Sequence, residues 1–266
     1  MPDYQDRSFR FSHTISRLPA SSITQGLRAH GQEDPSFDEF LNQHTAYINA
    51  LQQAGVETDV LPALEQFPDA VFVEDAALCL SGVAVILRPG AVSRFGEAAA
   101  IAPHLGQVFN QVIGLKGKGY IEGGDILLTD REALIGLSER TDLDGVQSIE
   151  PILTRFGYTV RIVDTPEGVL HFKSDSSLLD SETIFSTKAL AAGNCFEGYR
   201  VILTPDGEEE SANLIRVNDY VIMRTGFPKA KAILEREGYV VLTVDTAEAA
   251  KVDGGLSCMS LRFSLA

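Results

Sequence analysis

A helix end, a glycine and a strand recur along this chain, and no other feature restricts its fold so strongly. The clearest copies are Leu51–Val60 (LQQAGVETDV), Leu153–Ile162 (LTRFGYTVRI) and Leu234–Thr243 (LEREGYVVLT). Weaker copies lie at Pro103–Val108 (PHLGQV) and Phe196–Ile202 (FEGYRVI), which places the five glycines, Gly55, Gly106, Gly157, Gly198 and Gly238, 51, 51, 41 and 40 residues apart. Glycine suits the residue after a last helical turn because the left-handed conformation there is costly with a Cβ. Units this small cannot each bury an apolar face, so five of them must share a core. The pattern predicts one α/β domain over residues 1–266, a five-bladed α/β propeller of helix–strand repeats.

Local signals agree within the first unit. Ser36 to Glu39 (SFDE) reads as a capping box, Phe40, Leu41, Ala46, Ile48, Ala50 and Leu51 form an apolar stripe, and Gly55 closes a helix over Phe37–Ala54. Further helices are predicted over 94–105, 143–156 and 227–237. Strands are predicted over 69–80, 83–87, 125–129, 133–137, 158–163, 169–172, 199–203, 214–217, 220–223, 239–244 and 256–263.

Composition excludes several classes of function. A net charge of -15, with 22 Lys plus Arg, leaves no basic stripe for nucleic acid or an anionic membrane. The first residues lack the apolar run of a signal peptide and no stretch is apolar enough to span a bilayer, so the expectation is a soluble, cytoplasmic protein. Three scattered cysteines, Cys79, Cys195 and Cys258, make neither a disulfide framework nor a Cys-rich zinc site. With no C-x-x-C, H-E-x-x-H or G-x-S-x-G spacing, neither a metal, another cofactor nor a serine nucleophile is expected.

Counted from each glycine, Asp75 stands 20 positions on, Glu122 16, His171 14, Asn213 15 and Cys258 20. If equivalent positions converge on a central axis, a thiol, an imidazole and carboxylates meet there, which is what a covalent catalyst handling a cation needs. Each residue also has a plainer reading. Strand histidines such as His171 are ordinarily surface residues, and Asp75 and Glu122 would serve equally in a structural ion-pair cluster. His13, His30, His44 and His104 have no reactive neighbours in sequence. Cys79 reads as a core thiol and Cys195 as a loop thiol. Cys258 differs because alternation on a strand over 256–263 sends it away from Met259, Leu261 and Phe263, just past Gly254 and Gly255.

Several ordered strings then combine: DAVFVED at Asp69–Asp75, RPGAVSR at Arg88–Arg94, EGGD at Glu122–Asp125, LSERT at Leu137–Thr141, LHFKS at Leu170–Ser174, Ala212-Asn213, and VDGGLSC at Val252–Cys258. Together, over nearly the whole chain, they resemble the dimethylarginine dimethylaminohydrolase family of the pentein, or guanidino-modifying, superfamily. That resemblance implies the same five-bladed fold and cleavage of methylated arginine, a small-molecule substrate, without a cofactor. It implies Cys258 as nucleophile, His171 as general acid and base, and Glu122 as the carboxylate orienting His171. Asp75 with Glu74 would hold the guanidinium, Arg94 and Arg140 the α-carboxylate, and Asp69, the Leu18 carbonyl and the Val252–Asp253 backbone the α-amine, with Phe72 and Ser174 also lining the substrate. Leu214 stands where relatives can carry a cysteine, and Asp175–Asp180 has no match in the pattern. An arginine deiminase, an amidinotransferase and a catalytically silent binding propeller stay open as alternatives, as does a homodimer.

Overall fold

Helix α1 (Phe37–Gln53) starts where the sequence signals it, with the Ser36 hydroxyl accepting from Glu39 N at 3.4 Å, and it buries Phe40, Tyr47 and Leu51. It links two parallel strands, β1 (His13–Arg17) and β2 (Glu57–Leu61). The computed structural model describes residues 7–28, 33–166 and 168–265, so the chain's opening and His30 lie outside the described residues.

The same strand–helix–strand unit returns four times, each preceded by one more antiparallel strand. The elements are β3 (Ala77–Leu80), β4 (Val83–Ile86), α2 (Phe95–Val108) and β5 (Gln111–Gly114); then β6 (Ile126–Leu128), β7 (Glu132–Leu137), α3 (Leu143–Arg155) and β8 (Thr159–Asp164). They continue with β9 (Ser176–Asp180), β10 (Thr183–Ser186), α4 (Lys188–Ala191) and β11 (Arg200–Leu203), then β12 (Ile215–Val217), β13 (Tyr220–Arg224), α5 (Pro228–Arg236) and β14 (Val240–Val244). A short helix α6 (Ala247–Ala250) leads to the last strand, β15 (Leu261–Phe263), which pairs antiparallel with β1, matching Ile15 to Leu261 and His13 to Phe263. The first blade is thus completed by the end of the chain. Five three-stranded sheets stand among the described residues, each an antiparallel pair extended by a parallel strand. This is the five-bladed α/β propeller that the repeat predicts.

Each parallel crossover requires a helix, and each helix buries one apolar stripe on its blade. In the last blade Ala230 and Leu234 pack with Val221 and Met223, all fully buried, and burying one such leucine contributes roughly 1.5–3 kcal/mol. Gly55, Gly157, Gly198 and Gly238 take positive φ, +87°, +79°, +86° and +92°. Gly106 does not: α2 runs through it to Val108, and Phe109 closes the helix by donating to Leu105 O. The repeat survives there without its glycine signal.

Three predicted strands are corrected. Residues 69–76 form two 3-10 turns, Pro68–Val71 and Val73–Ala76, with strand only from Ala77. Around His171 the chain makes a 3-10 turn over Phe172–Ser174, and Ser257–Met259 makes another, leaving only Leu261–Phe263 extended. Buried polar groups explain the change, because Asp69, Glu74 and Asp75 find partners in different directions, which a two-fold alternating strand does not allow. Strands β1, β5, β9 and β10 were not expected, and the unmatched Asp175–Asp180 stretch is mostly β9.

Candidate active site

A 3-10 turn precedes the first strand of every blade: Val73–Ala76, Gly123–Asp125, Phe172–Ser174, Glu209–Ala212 and Ser257–Met259. Successive turns pack on one another around the axis, and the ring closes where Asn213 Oδ1 accepts from Ser257 N at 3.1 Å and Asn213 Nδ2 donates to Ser257 Oγ at 3.3 Å. The offset seen in the sequence is the distance from each helix end to this turn. Asp75 and Cys258 lie within their turns, Glu122 and His171 just before theirs, and Asn213 just after.

Asp75, Glu122 and His171 each place an atom within 4.8 Å of the other two, all three side chains being buried. His171 Nε2–H donates to Glu122 Oε2 at 2.6 Å, while Glu122 Oε1 accepts from Gly90 N at 2.8 Å. Asp75 Oδ1 accepts from Gly124 N at 2.9 Å and Asp75 Oδ2 from Arg94 Nη1 at 2.6 Å. A Cβ on Gly124 would come within 2.7 Å of the His171 ring and 3.0 Å of Asp75 Oδ1, so glycine is what lets the imidazole lie against that backbone. Two carboxylates and an imidazole could hold a metal, yet each carboxylate already accepts from a backbone amide and a cationic side chain. That is the donor set of a charge-assisted hydrogen-bond network.

Electrostatics sort these groups by protonation state. Burial would lower the His171 pKa, but the Asp75 charge, the Glu122 hydrogen bond and Asp125 outweigh it and push it up to about 9. Burial would raise Asp75, and the positive charges of His171 and Arg94 instead hold it at about 2. Burial, then Asp75 and Glu74, push the Cys258 thiol up to about 12. At neutral pH the free protein therefore holds a neutral Cys258 thiol, and a His171 imidazolium that donates to Glu122. Cys79 and Cys195 are also raised, chiefly by burial, with no comparable partners.

Glu74 Oε1 accepts from Arg262 Nη2 at 2.7 Å and forms an ion pair with Lys173 Nζ at 2.6 Å, whereas Glu74 Oε2 is buried with no donor. A buried carboxylate oxygen without a partner costs free energy until a donor reaches it. Arg140 lies on the wall of a cavity of about 1270 Å³, with Leu170, Ser174, Asn213 and the Asp253–Leu256 backbone, and its Nη1 is 3.7 Å from Glu122 Oε1. Arg94 stands differently. Its guanidinium is buried and donates to Asp75 Oδ2, Glu97 Oε2 and the Phe72 carbonyl at 2.6, 2.7 and 2.9 Å, so it faces acids, not the open cavity. Asp69 Oδ1 accepts from Leu27 N at 3.0 Å and lies beside Val252 across Gly26; Leu18 is partly exposed and donates its amide to Leu61 O. Phe72 packs against Gly254, and Ser174 N donates to the His171 carbonyl.

The chain matches the family described as "N,N dimethylarginine dimethylhydrolase, eukaryotic" over residues 25–173. It is 39% identical to the N(G),N(G)-dimethylarginine dimethylaminohydrolase of Pseudomonas aeruginosa, over 95% of this chain and all of that one, and 30% identical to its namesake in Streptomyces coelicolor, over 93% and 95%. The chain belongs to the dimethylarginine dimethylaminohydrolase family. A cysteine-to-serine variant of the Pseudomonas family member, solved with citrulline, superposes with a TM-score of 0.92 over 96% of this chain and all of that one. A family structure at 38% identity, a histidine-to-glycine variant holding an S-methyl-L-thiocitrulline adduct, gives 0.91 over 95% and 100%. The N-terminal domain of a cyanobacterial arginine dihydrolase, at 20% identity, shares the fold, with a TM-score of 0.84 over 96% and 97%.

Sequence reasoning missed Glu97, Thr141 and Arg262. Thr141 Oγ1 accepts from Glu122 N at 3.1 Å, and its only signal was its place in LSERT. Asp125, quoted there only within EGGD, is fully buried; it accepts from Phe172 N and from the Ser138 hydroxyl, and so fixes the turn after His171. Glu97 has no motif at all; burial ahead of its Arg94 pairing pushes it up to about 7. Among the described residues no helix is long and apolar enough to cross a membrane.

Proposed function

We propose that this chain hydrolyses N-omega-methylated arginine to citrulline and the methylamine, with Cys258 as nucleophile and His171 as general acid and base. One observation carries this reading. Behind burial, the charges that keep the Cys258 thiol protonated are those of Asp75 and Glu74, and an arriving guanidinium would be drawn to the same two carboxylates, of which Glu74 Oε2 lacks a donor. A bound guanidinium offsets their charge at the thiol, so the thiolate forms when the substrate is present.

The steps follow from the protonation states. As substrate binds, the Cys258 thiol gives up its proton to solvent; Cys258 Sγ, as thiolate, bonds to the guanidinium carbon, the C–N bond to dimethylamine breaks, and the departing nitrogen takes the proton of the His171 imidazolium. The product of this step is an S-alkylthiouronium on Cys258. His171, now neutral, accepts a proton from water, whose oxygen bonds to the same carbon; the C–S bond breaks, citrulline leaves and the thiol is restored. Glu122 orients the imidazole throughout, and Asp75, fixed by Arg94 and Gly124, holds the reacting carbon in line.

Arg140 on the cavity wall suits a substrate α-carboxylate, and Asp69 with the Val252–Asp253 backbone suits the α-amine. We assign Arg94 to holding Asp75 in place of the clamp role that the resemblance implied, because its donors face acids and the Phe72 carbonyl. The five blades act as one catalytic domain, and three free cysteines support a reducing, cytoplasmic setting. The test is incubation with asymmetric dimethylarginine, monomethylarginine and arginine, measuring citrulline, methylamines and ammonia. Citrulline with equimolar dimethylamine is expected; ammonia from arginine as the main product would instead make the chain a deiminase.

A further inference from the structure

Arg262 lines a cavity of about 610 Å³ together with Glu74, Lys173, Ser257 and Ser260, none of which lines the large one. Its Nη1 donates to Ser257 O at 3.0 Å, Ser260 O at 3.0 Å and Ser260 Oγ at 2.8 Å, so one guanidinium grips the chain on both sides of Cys258. Its Nη2 donates to Glu74 Oε1, which also forms an ion pair with Lys173 Nζ at 2.6 Å. Glu74 adjoins Asp75, and Lys173 lies two residues past His171. A single carboxylate oxygen therefore ties together the turns that carry Asp75, His171 and Cys258.

Two further carbonyls next to Cys258 are held as well. Tyr47 Oη donates to Leu256 O at 2.9 Å and Ser16 Oγ to Met259 O at 2.8 Å. Tyr47 and Ser16 anchor the turn to α1 and β1, in its own blade. Arg262 alone among these groups crosses to Glu74, in the next blade. Its planar fork spans two carbonyls and a carboxylate at once, which an ammonium on a flexible stem does not do.

We propose that Arg262 is a positioning residue for the reaction: through Ser257, Ser260 and Glu74 it fixes where the Cys258 sulfur stands relative to His171 and Asp75, without touching the substrate. The proposal rests on the reading of Cys258 as nucleophile. Positional error matters in such a site, since a displacement of about 1 Å can cost on the order of 10²-fold in rate.

The experiment compares wild type with Arg262→Lys and Arg262→Gln on asymmetric dimethylarginine, following kcat, KM, far-ultraviolet circular dichroism and thermal unfolding. The expected result is folded variants whose kcat falls about 10²-fold while KM changes less than about threefold. In Arg262→Ala, millimolar guanidinium is expected to recover about tenfold in kcat by refilling the fork. An unchanged kcat, a rise in KM alone, or loss of the folded state in both variants would overturn the proposal; the last would mean that Arg262 serves stability, not geometry. A wild-type protein that makes no citrulline would overturn the functional reading instead, so the two failures are told apart.

Discussion

At Cys258 the environment opposes ionisation, and that opposition is informative. A thiol held near about 12 by burial and by Asp75 and Glu74 should react with neutral iodoacetamide slowly at pH 8, where an ordinary cysteine with a pKa of ~8.5 reacts readily. Alkylation that levels off below about pH 9 would contradict this. Cys258→Ser should leave the fold intact and reduce citrulline formation to under a few per cent of wild type; a more active serine variant would remove the nucleophile assignment. For His171→Gly the expectation is a thiouronium adduct that persists, because the imidazole is needed to activate water. Mass spectrometry finding no adduct in that variant would show that the imidazole is already indispensable to the first step. Arg140→Ala should raise KM by roughly 1.5–3 kcal/mol of lost charge-assisted hydrogen bonding, with kcat little changed. Equal KM values would remove Arg140 from carboxylate binding.

The elements of the fold differ in how openly the sequence declares them. The helix-to-glycine-to-strand junction is local, so Gly238 at φ +92° and its counterparts at Gly55 and Gly157 are readable from the chain alone. Gly106 shows the limit, since a glycine inside a helix looks the same in sequence. The two positions should respond with opposite signs. Gly238→Ala places a Cβ in the left-handed region and should cost about 1–2 kcal/mol, while Gly106→Ala, in a helix interior with open space around it, should stabilise by about 1 kcal/mol. Urea unfolding of both variants checks this, and equal signs would refute the assignment. The ring of 3-10 turns was not legible, because its polar residues, set among apolar neighbours, imitate the two-residue period of a strand. Alternation therefore placed Cys258 on a strand, whereas it lies in a 3-10 turn and is buried in the same apolar cluster as Leu256 and Met259. Strand β1 was missed because its partners, Glu57 and Phe263, lie far along the chain. Arg262 escaped for a related reason, as it meets Glu74 only once the blades close, whereas Glu97 pairs with Arg94 three residues earlier, a spacing that any helix surface offers.

Closure ties the whole molecule to its chemistry. Strand β15 completes the first blade and follows directly on the nucleophile turn, so deleting residues 261–266 should abolish cooperative unfolding along with activity. A truncated protein with an unchanged melting profile would contradict that. The coupled charges at the axis also set a pH window. His171 is raised from ~6.5 to about 9, so its contribution to stability is complete below ~6.5 and is lost as pH rises through about 9. Asp75 is lowered from ~3.9 to about 2, so its contribution is present above ~3.9 and is lost as pH falls to about 2. The melting temperature should therefore fall between pH 6.5 and 9, and less so in His171→Asn; parallel curves would argue against a buried imidazolium. The central claim is that five turns bring Cys258 to a guanidinium carbon. Acid-quenching wild type during turnover of asymmetric dimethylarginine and mapping its peptides tests it most directly. A Cys258 peptide heavier by the substrate less dimethylamine is expected, and an unmodified Cys258 in an enzyme that is releasing citrulline would overturn the claim.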